Sequence, residues 1–165
     1  MPEPDDKIIA LLTDLQGCLC AQLTPEGAEG PPLCLCIPIP GVYPGQAYAG
    51  VGQELAWARV ADYFPSNTPG VQSLLPYNAT HGRTVLIEMG VLRCHSVPKN
   101  GNYTSDQLLA MSTRQMEDIG SMERALACCT GASWDANQFV VGNYRPIGPE
   151  GDLYGGAISI AMQIE

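Results

Sequence analysis

Basic residues are scarce in this chain. Lys and Arg number 8 among 165 residues against 17 Asp and Glu, so the formal net charge is −9. Proteins that bind nucleic acid draw much of their affinity from Lys and Arg that neutralise phosphates. Here the basic residues stand singly from Lys7 to Arg145, which argues against DNA binding as the task. An acidic balance serves solubility, or makes a surface that DNA passes without sticking. Charge of either sign is also low, at 15% of residues, which points to surface that is covered in the working state. No apolar run is long enough to span a bilayer, so no membrane partner is expected. The start, Met1-Pro2-Glu3-Pro4-Asp5-Asp6, is acidic where a secretion signal is basic. Synthesis in a cytoplasm is the expectation, with the seven cysteines as thiols.

Catalytic signatures are missing too. His81 and His95 are the only histidines. There is no Gly-x-Ser-x-Gly elbow, no His-Glu-x-x-His and no phosphate-binding glycine loop. Gly50-Val51-Gly52 lacks the rest of a dinucleotide fingerprint. The cysteines fall in close pairs, Cys18/Cys20, Cys34/Cys36 and Cys128/Cys129, beside Cys94. Zinc knuckles place at least two residues between paired ligands, so this spacing reads as plain packing. Glu117, Asp118 and Glu123 lie near Arg114 and Arg124 on one helical segment and read as solvated surface pairs. The expectation is a protein that is not an enzyme, with no cofactor and no metal. A small thiol- or metal-dependent enzyme is the remote alternative.

What is present is periodicity. Asp5 and Asp6 can cap a helix to about Leu19, with Ile8, Leu12, Leu15 and Leu19 at helical spacing and Ile9 and Leu11 widening the stripe. Leu33 to Ile39 alternates as a strand, and Pro38 makes it an edge strand or ends its pairing there. Residues 53–62 alternate with Leu55 and Trp57 on one side and Ala56, Ala58 and Val60 on the other. Residues 63–82 lack a period and read as a long loop, with Phe64, Leu75 and Tyr77 as apolar contact residues. Residues 83–94 form the strongest internal strand, apolar on both faces. One face packs on helices; the other needs a second cover, for which a neighbouring subunit is the expected source. Thr104 and Gln107 have capping-box spacing at the start of a helix to about Cys129. Leu109, Met116, Ile119, Met122, Leu126 and Cys129 form its stripe. A closing hairpin, 138–165, consists of a strand to Tyr144, a turn from Pro146 to Gly156, and a strand in which Ile158, Ile160, Met162 and Ile164 alternate.

The expected fold is one α+β domain over residues 1–165, in the order α-β-β-β-α-β-β. It has a mostly antiparallel sheet and two helices packed on one face. Several stretches together carry a resemblance: "IIALLTDLQGCLC", "LCLCIPIPG", "EMGVLRCHSVP", "SDQLLAMSTRQMEDIGSMERALACC" and "VVGNYRPIGPEGDLYGGAISIAMQIE". They resemble the head–tail junction proteins of long-tailed bacteriophages infecting actinobacteria, and the element order resembles the tail terminator family. The resemblance implies a structural virion protein at the head–tail junction, made in the host cytoplasm. Its partners are then further copies in a hexameric ring, the tail tube protein and a head-side stopper or connector, with DNA passing through the lumen unbound. A stopper or head-completion protein is the alternative within the same junction. Expected interface residues are Phe64, Leu75, Tyr77, Val140, Tyr144, Ile158, Ile160 and Ile164.

Overall fold

A computed structural model describes residues 4–23, 33–37, 54–66, 68, 82–128 and 139–164. Elements run α1 (Pro4–Gln22), β1 (Leu33–Ile37), β2 (Leu55–Pro65), β3 (Arg83–Cys94), α2 (Ser105–Cys128), β4 (Phe139–Glu150) and β5 (Leu153–Ile164). The strands form one sheet in the order β1-β2-β3-β5-β4. β1 pairs with β2 in parallel, and the other pairs are antiparallel. Both the α+β class and the order α-β-β-β-α-β-β are as the sequence leads one to expect.

Alternation decides which side of each strand meets the helices. Ala56, Ala58 and Val60 of β2, Val85, Ile87, Met89 and Val91 of β3, and Ile158, Ile160 and Met162 of β5 share one buried face. Ile8, Leu11, Leu12, Leu15, Leu19 and Leu23 of α1 and Met122 and Ala125 of α2 join them in one cluster. Leu12, Leu15 and Leu19 retain no exposed surface, and each such side chain stabilises the fold by about 1.5–3 kcal/mol. Ile9 does not widen that stripe; it stands 48% exposed.

Two irregularities explain where the periodic reading stops short. β2 runs three residues beyond Asp62, because a bulge between Val60 and Asp62 inserts one extra residue. The alternation is reset there, so Tyr63 packs against the core in place of Asp62. β4 runs through Pro146 and Pro149 to Glu150 with register shifts at Val141/Tyr144 and Ile147/Glu150. Its prolines are tolerated because β4 is the outermost strand on that side of the sheet. The turn is therefore not Pro146 to Gly156 but Gly151-Asp152, with Gly151 at φ 59°.

The face of the sheet away from the helices is not left for a neighbour to cover. Leu55, Trp57, Leu92 and Ala157 form a second buried cluster with Ile147 packed against it. Trp57 pairs with Gly90, and its ring lies where a Gly90 side chain would be. A Cβ there would sit 2.4 Å from Trp57 Cζ2. Gly90→Ala is thus expected to destabilise the fold by about 1–3 kcal/mol through overpacking, read as a lowered midpoint in urea unfolding at unchanged slope.

Candidate functional site

Two buried charge clusters hold the sheet, one on each face. On the helix side Arg93 of β3 is 3% exposed and meets Asp118 of α2, also 3% exposed. Arg93 Nε donates to Asp118 Oδ2 at 3.1 Å and Nη2 donates to Oδ1 at 2.7 Å. Nη1 donates to Glu54 Oε2 at 2.7 Å, just before β2 begins. Burial alone lowers the Arg93 pKa, but the hydrogen bonds and charges of Asp118 and then Glu54 outweigh it, and the net shift is upward. Asp118 is therefore not the solvated surface carboxylate that its helical neighbours imply. Glu117 is one, paired with Arg114 at 3.1 Å on the surface.

On the opposite face Glu88, 4% exposed, accepts from three side chains on the two strands β2 and β4. Arg59 Nε on β2 donates at 2.8 Å, Arg145 Nη2 on β4 at 2.7 Å, and Trp57 Nε1 at 3.4 Å. This cluster is invisible to periodicity. Its one sequence signal is a Glu in the middle of an apolar strand, which a buried charge must partner.

α2 divides into two halves. Its start is the reciprocal capping box read from the sequence: Gln107 N donates to Thr104 Oγ1 at 3.3 Å, and Thr104 N to Gln107 Oε1 at 2.9 Å. From Asp118 onward it packs, with Asp118, Ser121, Met122 and Ala125 buried. Before Asp118 three large apolar residues face out, Leu108 at 47%, Leu109 at 67% and Met116 at 66% exposed, while Met111 is half-buried. Leu109 and Met116 were expected in the buried stripe, and the structure places them outside it.

At that end of the molecule His95 follows β3, with its ring between Tyr103 and Tyr154 at centroid distances of 5.4 and 5.6 Å. Its Nδ1 lies 3.3 Å from the Ser96 carbonyl oxygen. A cavity of about 320 Å³ lined by His95, Tyr103, Gln107, Met111 and Tyr154 opens beside it. Ser96 and Ala110 complete the lining among the described residues, and His95 there meets aromatic rings. Among the described residues no group of three or more His, Cys, Asp or Glu is placed to hold a metal ion. No helix among them is long and apolar enough to cross a membrane.

The expected interface residues separate sharply. Val140 is 54% exposed on β4, and Val141 beside it 47%. Ile158 and Ile160 are buried in the main core, and Ile164 packs against it. Their strand, β5, is hydrogen-bonded on both sides, to β3 and to β4. It therefore offers no free edge, contrary to the expectation that this strand mediates assembly. Tyr144 is half-buried, with its ring stacked where a Gly156 side chain would stand. Phe64 is half-buried on β2. Leu75 and Tyr77 lie outside the described residues, as does His81. Among the described residues, the exposed large apolar side chains group at the start of β4 and on the first half of α2, with Ile9 and Val97 standing singly elsewhere. Val140 pairs with Ala161, while α2 begins beside Tyr154. Seven residues of strand at ~3.3 Å each put these patches roughly 23 Å apart along the sheet.

The cysteine expectation also changes. Cys18 and Cys20 are disulfide-bonded, whereas Cys94 is outside any disulfide.

Two variants test the helix-side cluster. Asp118→Asn strips the charge that balances a buried guanidinium and is expected to destabilise the fold by about 3–5 kcal/mol in chemical unfolding. Tyr144 has a buried hydroxyl with no hydrogen-bond partner among the described residues. Burial, and secondarily the Asp118 charge, push its pKa from 10.0 up to about 12. The unfolded chain therefore releases this proton first, and stability falls as pH rises from 10.0 towards about 12. Tyr144→Phe is expected to be no less stable at neutral pH and to lose that part of the alkaline decline, as measured by thermal unfolding across this window.

No protein-family model matches the chain, and no curated protein matches its sequence.

Proposed function

We propose that this protein is a structural virion component, the tail terminator of a long-tailed bacteriophage. In this role it forms a hexameric ring that caps the tail tube, ends its polymerisation and joins it to the head-side connector. The reading starts from the sequence resemblance. The observation that supports it in three dimensions is the pair of separated apolar patches, on β4 and on the first half of α2. A ring needs two different surfaces that meet head to tail and close, and Val140 and Val141 at one end with Leu108, Leu109 and Met116 at the other supply two. The assembly surface in this reading excludes Ile158 and Ile160, which the core already uses.

The net charge of −9 suits a lumen through which DNA slides, since like charge disfavours adhesion. Mechanically, one ring face docks on the last tube ring and the other on the connector. Geometric fit is the whole mechanism, with no bond made or broken.

Sedimentation tests the ring. The wild-type chain is expected as a closed oligomer, and Leu109→Glu with Met116→Glu as a folded monomer, because the exposed half of α2 carries no core residue. Val140→Asp is expected to break the same oligomer from the other side. A wild-type monomer that binds neither tube nor connector sinks the reading. A ring that binds the connector and not the tube moves the chain to the stopper position.

A further inference from the structure

We propose that one charge pair orients the contact between copies: Arg124 of α2 in one copy against Asp62 of β2 in the next. This pairing rests on the ring reading and specifies which groups meet in it. Arg124 is exposed, and neutral groups hold its guanidinium. Nε donates to Gln22 Oε1 at 3.2 Å and Nη2 to Ser121 Oγ at 3.0 Å. Among the described residues no carboxylate pairs with it, whereas the neighbouring Arg93 pairs with Asp118 and Glu54, and Arg114 with Glu117. Gly120 lets the side chain lie back along the helix, since a Cβ there would stand 3.2 Å from Arg124 Nη1. Arg124 and the exposed Met116 line one cavity of about 230 Å³. A positive charge and an apolar side chain therefore face the same space.

The complement lies on the other side of the sheet. Asp62 pairs with Leu86, Leu86 with Ala161, and Ala161 with Val140. Residues directly opposite each other across strands share a face. Asp62 and Val140 thus stand in one row, three strand spacings or roughly 14 Å apart. Val85 and Ile87 flank Leu86 and face the helices, so this row faces away from them. Both of its ends are exposed. Asp62 Oδ1 accepts from the Tyr63 amide at 2.7 Å, and no basic side chain among the described residues pairs with it. On the other copy Met116 and Arg124 are eight residues apart, about 12 Å along α2. The two spacings agree to within the reach of an arginine side chain, so seating Met116 on Val140 brings Arg124 to Asp62. The two surfaces lie on opposite sides of the sheet, as a head-to-tail contact requires. In a chain of net charge −9, one uncompensated cation at the apolar patch selects the acidic row and fixes the orientation of approach.

Sedimentation equilibrium of the full chain at low salt tests the pairing. Arg124→Glu alone and Asp62→Arg alone each place like charges at every contact, and each is expected to weaken association by about tenfold or more. The chain carrying both changes is expected to regain the wild-type oligomer. So is an equal mixture of the two single variants, in which alternating copies again meet with opposite charges. A structural role for either residue within its own copy gives no such recovery. Thermal unfolding checks that each variant is folded. Should Arg124→Glu fail to fold, Asp62→Asn carries the test: its association is expected to fall less steeply with added salt than that of the wild type, and an equal salt response overturns the pairing. Single variants that assemble like the wild type overturn it too, as does a double variant that stays as weak as they are; in both cases the ring itself stands. A monomeric wild type removes the ring reading and the pairing with it.

Discussion

The bidentate pair between Arg93 and Asp118 is the interaction on which the helix layer depends. Two charges taken out of water are tolerable only when their hydrogen bonds are satisfied. Here the guanidinium also donates to Glu54, so β3, α2 and the start of β2 are fixed by one group. The first half of α2 has little core beneath it. Its position is inherited from the second half, which Asp118, Met122 and Ala125 hold to the sheet. A helix supported in this way can present large apolar side chains outward without collapsing onto its own domain.

The sheet has a counterpart on its other side. Glu88 gathers Arg59, Arg145 and the Trp57 indole across β2, β3 and β4. Around it Leu55, Trp57, Leu92 and Ala157 are buried. Strand β3 is thus enclosed on both faces by its own chain. That removes the most obvious argument for a subunit interface, the two-sided apolar strand, and shifts the assembly question to the rim.

Periodicity made much of this legible. α1, β3, β5 and the capping box of α2 fall where spacing places them, because each is a regular element whose burial follows its period. Failures cluster where that premise breaks. An inserted residue between Val60 and Asp62 hides the end of β2, and bulges disguise the second half of β4 as a turn. Leu109 and Met116 continue the stripe of α2 past the point where the sheet stops supporting it, so spacing alone assigns them to the core. Partnerships between distant residues were not legible at all. Arg93 with Asp118 and Glu88 with two arginines depend on proximity that only folding creates.

The position of β3 has a dynamic consequence. Its amides are locked on both sides by neighbouring strands and shielded above and below, so their hydrogen exchange requires the whole domain to open. The capped, half-supported beginning of α2 and the bulged rim strand β4 can open locally at much smaller free energy. Protection should therefore grade from the rim inward. Any partner that seats on the rim would draw its ordering from the least protected part of the molecule and leave the central strand unperturbed.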